Sequence, residues 1–326
     1  MNIAYSSSDS YAQLAGISIL SLFENNKSCD VINVYILDNN ISDENKVKLL
    51  SLGERYGRHI EFVEMVDLKE LTGVEVSAQR WNLSTFGRLF EASLFPQLDK
   101  IIHIDCDTIV CDSLEEYWNQ DMTGKVFAGA LENIGYKFKR DIGLAETDSY
   151  MNAGNVMLNL KYIRENNVEK RFVDYIIKRD GKLAFVDQEV LNGATKENEK
   201  LVLSLRFNSY SILHYFNYKQ NMKIKRVRGY YDEDEFNKAV NNPSIVHFTT
   251  CFLDGTRPWI EGNKHPYLNE FLKYKALSPW KDEPFWKDDR GTLKKIFTKI
   301  SNIMPRSLMM LIFGFLHNEV VRSKYK

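Results

Sequence analysis

The sequence predicts an α/β fold: a mixed, mostly parallel sheet with helices on both faces, followed by an amphipathic helical tail. Three observations carry that expectation. Apolar, β-branched runs of strand length alternate with stretches of helical apolar spacing through the first hundred residues. A βαβαβ rhythm of that kind builds parallel sheets. With 44 % apolar and 27 % charged residues, a 326-residue chain can pack one large domain or two small ones, and disorder is excluded.

The elements follow in order. Residues 3–5 form a short apolar run, and Leu14, Ile17, Leu20 and Leu22 then recur at helical spacing up to Phe23. Residues 31–37 are β-branched and apolar and read as a buried strand. Ser42 caps the next expected helix, which runs to about Tyr56, with Asn45 where a capping box would place Glu. Residues 59–63 alternate as a third strand, residues 85–94 read as a helix stopping before Pro96, and residues 100–104 form a fourth strand. Further on, residues 126–130, 155–160 and 245–248 read as strands and 162–178 as one helix. Residues 261–290, with Trp280 and Trp286 beside Trp259, read as a loop-rich aromatic cover. The resulting division is 1–260 for the catalytic body, 261–290 for the cover and 291–326 for the tail.

Composition narrows the function classes. The net charge of −1 gives no basic field for nucleic acid. Four cysteines in a chain of this length make no disulfide framework, and no CxxC pair suggests structural zinc. The N-terminus lacks a basic n-region and an apolar h-region, so no signal peptide is expected. Reduced thiols in the cytoplasm follow as the expectation.

The strongest chemical signal is the strand that runs into Asp105-Cys106-Asp107. Carboxylates at i and i+2 at a strand end can reach one hard cation such as Mg²⁺ or Mn²⁺. They also read as acids facing solvent. Asn152-Ala153-Gly154 puts small and amide residues ahead of an apolar run, where glycine permits close backbone approach or marks a bulge. Asp187-Gln188 stands at the entry of a short helix, as a functional pair or as a plain N-cap. His247 ends a β-branched strand, and Arg257-Pro258-Trp259 follows with a cation, a fixed bend and an aromatic face.

Taken in this order, these segments resemble family 8 glycosyltransferases of the GT-A fold. The likeness also takes in the first strand's polar end, Ser6-Ser7-Ser8-Asp9-Ser10-Tyr11, and the segment Thr85-Phe86-Gly87-Arg88-Leu89, and it covers about residues 1–260. It points to bacterial retaining enzymes that use UDP-galactose or UDP-glucose to extend cell-surface polysaccharide or lipid-linked glycans. The resemblance implies Asp105, Asp107 and His247 as ligands of Mn²⁺, with Mg²⁺ as the alternative. It implies Ser6, Ser8, Asp9 and Tyr11 at uracil and ribose, and Arg88, Asp105, Cys106, Asn152, Ala153 and Gly154 around the nucleotide sugar. Gly255 and Arg257 would meet a phosphate, Asp187 would accept from sugar hydroxyls, and Gln188 would lie near the anomeric carbon. A neutral amide there favours a front-face route over double displacement, with Asp187 as nucleophile the competing version.

Residues 291–326 carry seven Lys or Arg against Glu319 alone, threaded between apolar residues. The longest apolar stretch, near Ser307 to Leu316, is about half the ~20 residues a spanning helix needs. The tail therefore reads as an interfacial segment on the inner face of the plasma membrane, or as a helix packed on its own domain. Two rival functions stand beside the transferase: a Mg²⁺-dependent nucleotidyltransferase of a sugar phosphate, which the missing glycine-rich phosphate loop disfavours, and a non-catalytic sugar-binding protein on the same fold.

Overall fold

In the computed structural model, which describes residues 1–65, 67–76, 83–251, 253 and 257–322, the expected first strands line up side by side. The strands are β1 (Asn2–Ser8), β2 (Asn33–Asn39), β3 (His59–Glu64), β4 (Ile101–Ile104), β5 (Thr108–Val110), β6 (Phe127–Leu131), β7 (Met151–Leu158), β8 (Lys200–Val202), β9 (Ser209–Tyr210) and β10 (Ile245–His247). The main sheet has the order β3-β2-β1-β4-β7-β6-β8, and a small second sheet the order β5-β10-β9. β1, β2, β3 and β4 are mutually parallel, as are β6 and β8, whereas β7 runs antiparallel between β4 and β6. The sheet is mixed and mostly parallel, as expected.

Both faces of the sheet are covered. Ile3, Tyr5, Val34 and Ile36 point into one core with the helix Ala12–Asn25. Ala4, Tyr35 and Leu37, one position off, enter a second core with Phe86, Leu89 and Phe172. Burial on both faces explains why these strands read as unbroken apolar runs. Ser42 does cap the helix Asp43–Tyr56 by accepting from the Asn45 N–H.

Three expected elements differ. Residues 83–90 wind as a 3₁₀ helix, and only Glu91–Leu94 is α-helical. Gly87 contributes no helix preference there, and a Cβ on it would sit 2.7 Å from Leu37 Cδ1. The expected helix over 162–178 is two, Leu160–Glu165 and Val168–Lys178. They meet at Asn167, whose φ of 50° only residues such as Asn and Gly adopt easily. β7 begins at Met151, earlier than the expected 155, so Asn152-Ala153-Gly154 lies within the sheet, opposite the register shift between Gly129 and Leu131.

The 261–290 segment is more ordered than a loop cover. It holds the helix Leu268–Leu277, and Phe271, Tyr274 and Trp280 join the first core together with Trp259. Gly16 provides the seat for Trp280: a Cβ there would lie 2.1 Å from the indole. The tail forms two helices, Thr292–Ile303 and Arg306–Phe315, followed by a π-helical turn over Leu316–Val321. Met309 and Met310 are buried in a third core with Ile224 and Phe216.

Two buried histidines brace this region. The Tyr267 N–H donates to His265 Nδ1 (3.1 Å), so the ring is neutral and its Nε2–H donates to Ser211 Oγ (3.0 Å). His214 Nε2 lies 3.1 Å from Ser209 Oγ. Burial holds His214 down at about 4 and His265 down at about 3, the latter helped by its His214 neighbour. Because the unfolded chain protonates these rings near pH 6.5, stability is intact above that pH and falls below it. Each neutral ring costs about 1.4 kcal/mol of stability per pH unit in that window. The denaturant midpoint should drop clearly from pH 7 to pH 5; equal midpoints would contradict the buried neutral pair.

Candidate active site

The two acids sit at the mouth of the sheet because β4 ends one residue before them. The Asp105 N–H donates to Gly154 O (2.7 Å) on β7, and Thr108 Oγ1 donates back to Asp105 O (2.9 Å), closing a turn into β5. β5 pairs antiparallel with β10 and sets His247 opposite Thr108, while the Phe248 N–H donates to Asp107 O (2.8 Å). The imidazole Nε2 is thereby brought 3.2 Å from Asp107 Oδ1 and 3.7 Å from Asp105 Oδ2. One ligand atom from each of the three residues lies within 4.8 Å of the others.

The proton on His247 can be placed by logic that starts at a backbone amide. The Gly154 N–H is a donor, so Asn152 presents Oδ1 to it (2.8 Å). Asn208 must then turn Nδ2 toward that same oxygen (2.7 Å), which leaves Asn208 Oδ1 facing His247 Nδ1 (3.1 Å). Nδ1 therefore carries a hydrogen, and Nε2 is the atom aimed at the two acids. Asn155 Nδ2 donates to the same Asn208 oxygen, and Asn152 Nδ2 donates to Glu132. Gly154 is required sterically, since a Cβ would come 2.2 Å from His247 Cε1.

Electrostatics agree with a cation site. Burial opposes charge on Asp107, yet His247 and Arg257 hold it down at about 2. Burial also pushes His247 down, but Asp107 and then Asp105 raise it overall. A position that stabilises a proton between two carboxylates also suits a divalent ion. Two oxygens plus an imidazole nitrogen fit Mn²⁺, which accepts both donor types, better than the all-oxygen habit of Mg²⁺ or Ca²⁺.

Behind the acids lies Arg88, 2 % exposed. It donates through Nη2 to Asp105 Oδ1 (2.5 Å), pairs through Nε with Asp187 Oδ2 (2.9 Å), and donates through Nη1 to Ala153 O. Burial disfavours its charge, but Asp105 and Asp187 keep it protonated. Asp187 is pushed up to about 6 by burial, against Arg88 and with Asp105. It is not the helix cap that its position suggested. The cap of Val186–Ala194 is Phe185, without a side-chain bond, and Asp187 lies in the first turn facing Arg88. Val186, β-branched, is held at φ 41°, a strain that rigid surroundings must sustain. Gln188 Oε1 accepts from the Ala153 N–H (3.0 Å), and Nε2 donates to Tyr150 Oη (3.4 Å).

The other expected site residues are spread along the β1 end. Ser6 Oγ lies 3.5 Å from His103 Nε2, and Cys106 Sγ donates to Ser6 O (3.2 Å) while its thiol is pushed up by burial. Ser8 Oγ contacts Ser10 Oγ (3.1 Å). Asp9 is engaged by the start of the helix Asp43–Tyr56: its Oδ1 accepts from the Ser42 N–H (2.9 Å), Ser42 Oγ (2.6 Å) and Asn45 Nδ2 (2.8 Å), which keep its carboxyl low, at about 2. Tyr11 is 36 % exposed. Arg257 Nη1 lies 3.0 Å from Asp107 Oδ2, and its buried Nε has no partner among the described residues. Gly255 lies outside the described residues. The sequence reading missed Glu132, Tyr150 and Asn208, none of which belongs to a spacing pattern.

Asn208→Ala should weaken Mn²⁺ binding about 10- to 100-fold by freeing the His247 ring. Gly154→Ala should do at least as much by displacing it. Isothermal titration with Mn²⁺ checks both, and wild-type affinity in the two variants would refute the orientation derived above.

Comparison with known proteins places the chain in a family. Residues 2–262 match the model of "Glycosyl transferase family 8". The chain is 32 % identical over 212 residues to a putative glycosyltransferase of Haemophilus influenzae, covering 64 % of this chain and 63 % of that protein. It is 25 % identical to general stress protein A of Bacillus subtilis, over 86 % of this chain and 94 % of that one. It is 24 % identical to a lipopolysaccharide 1,2-glucosyltransferase of Escherichia coli, over 88 % and 81 %. Among solved structures, the galactosyltransferase LgtC, crystallised with donor and acceptor sugar analogues, superposes with a TM-score of 0.71 at 20 % identity, over 86 % of this chain and 96 % of that one. The architecture is thus GT-A, and with the family model spanning the sheet, the Asp105–Asp107–His247 cluster and Arg257, the chain belongs to glycosyl transferase family 8.

Proposed function

We propose that this chain moves galactose or glucose from a UDP-sugar to a saccharide hydroxyl, with retention of anomeric configuration, in the synthesis of a cell-surface glycan. The observation that carries the reading is the convergence of Asp105, Asp107 and an outward-aimed His247 Nε2 on one point, beside the buried Arg88–Asp187 pair. The relatives that are lipopolysaccharide glucosyltransferases, and the galactosyltransferase LgtC, support the hexose and the saccharide acceptor.

Asp105, Asp107 and His247 would hold Mn²⁺, which when bound supplies Lewis acidity at the diphosphate. Arg257, paired to Asp107 on one side, has its orphan Nε to offer a phosphate oxygen. Asp187, fixed by Arg88, accepts from sugar hydroxyls and orients the ring. Gln188 is tied at both ends of its amide and stays neutral, so it is a poor nucleophile. The bond from the anomeric carbon to phosphate therefore breaks as the acceptor oxygen arrives on the same face. The leaving phosphate takes the acceptor proton. A covalent sugar adduct trapped on Asp187 would instead establish double displacement.

The tail supports docking on the cytoplasmic membrane surface. No described helix is long and apolar enough to cross a membrane. Arg306–Phe315 buries Met309, Met310 and Gly314 on its own domain yet leaves Leu308, Leu311 and Phe315 exposed. Thr292–Ile303 leaves Leu293, Ile296, Phe297, Ile300 and Ile303 exposed beside Lys294, Lys295 and Lys299. That is the composition of an interfacial helix, and each cation near an anionic leaflet adds about 1 kcal/mol.

UDP release from UDP-galactose and UDP-glucose, with and without Mn²⁺, tests the reaction. Turnover should depend on the ion, and Asp107→Ala should fall below about 1 % of wild type, a loss of roughly 3 kcal/mol or more. Full rates in chelator would sink the proposal. For the tail, the triple change Leu293→Glu, Ile303→Glu, Leu311→Glu should release the chain from vesicles containing phosphatidylglycerol and leave UDP release intact. These residues are exposed, so the fold is spared, whereas removing the whole tail would strip Met309 and Met310 from their core. Undiminished vesicle binding would rule out this face.

A further inference from the structure

Although the family match ends at residue 262, a side chain from beyond it reaches the nucleotide end of the site. The Trp286 N–H donates to Trp259 O (2.8 Å), and the Glu261 N–H donates to Trp286 O (2.9 Å), a short parallel bridge across Ile260. The bridge pins Trp286 against the Arg257-Pro258-Trp259 bend. Its ring lies 6.1 Å from Trp259, edge-on at 71°, and 6.0 Å from Tyr11, edge-on at 74°. Tyr11 also meets Arg257, which lies over Trp259 at 5.5 Å and pairs with Asp107.

Tyr11 hydrogen-bonds Arg257 through its hydroxyl, and Trp286 braces the ring itself. Tyr11 ends the 3₁₀ turn Asp9–Tyr11, which buries none of its residues. A phenol ring tethered at its hydroxyl alone keeps freedom that a ligand would have to remove on binding. Edge-to-face contact with Trp286 orders the ring beforehand and leaves part of it open.

We propose that Trp286 is a positioning residue for the donor nucleotide: it holds Tyr11 edge-on so that the open surface of the phenol ring stacks on the base of a nucleoside diphosphate. The inference rests on the donor reading above and adds a residue from outside the family match. An aromatic pair of this kind is worth about 0.5–1.5 kcal/mol, or roughly 2- to 12-fold in affinity.

The test measures UDP affinity by calorimetry with Mn²⁺ present, together with donor KM and kcat. Trp286→Ala should raise the UDP Kd and the donor KM together, about 3- to 10-fold, with kcat within about 2-fold and Mn²⁺ affinity without nucleotide unchanged. Trp286→Phe, which keeps an aromatic edge and guards against misfolding, should recover most of the loss. Tyr11→Ala should match Trp286→Ala, and the double variant should add little to either. UDP binding that Trp286→Ala leaves unchanged, or full additivity in the double variant, overturns this inference alone. A wild-type chain that does not bind UDP overturns both it and the proposed reaction.

Discussion

The antiparallel pairing of β5 with β10 is the constraint on which the site depends. Asp105 and Asp107 are neighbours in sequence, but His247 is 140 residues beyond Asp107, and only this short ladder sets it opposite Thr108. The pairing is cheap in hydrogen bonds and expensive in loop closure, so it needs the first core, into which Ile109, Val110, Ile245 and Val246 are packed. Once it forms, the distances within the Asp–Asp–His cluster follow from strand geometry rather than from side-chain flexibility.

A second requirement is that the buried side chains that orient His247 and Asp187 find partners. The relay from the Gly154 N–H through Asn152 and Asn208 to His247 meets it with neutral groups, and one backbone donor orients the whole series. Arg88 meets it with charge. Its buried guanidinium lies between two carboxylates, and loss of Arg88 would leave the buried Asp187 without its counter-ion. Asp187 is thereby oriented by Arg88 while burial works against its charge.

The C-terminal third works as part of the body. Trp259, Trp280 and Trp286 lock the 259–286 segment onto the first helix and Tyr11, and Gly16 is the flat spot that lets Trp280 in. The tail that follows has two apolar sides, one turned inward through Met309 and Met310 and one left outward through Leu308 and Leu311. A segment that is apolar all round can be anchored to protein on one side and still offer a surface on the other.

From residue pattern alone one could read the strand-helix alternation of β1 through β4, the Ser42 cap, the acid pair at the end of β4 and the glycine behind it. Each is a local signal: periodicity, a capping residue, an apolar run broken by charge. What stayed out of reach depends on contacts far apart in the chain. β5 and β9, of three and two residues, are too short to show a period, and β9 exists because β10 pairs with it. The 3₁₀ winding of 83–90 turns Arg88 toward acids 17 and 99 residues away in the chain. Asn208 and Glu132 look like ordinary surface polar residues until the fold buries or couples them. The sequence alone determined the sheet and the chemistry at its edge; the tertiary structure decided which nitrogen faces the acids, because hydrogen-bond polarity is set by neighbours in space.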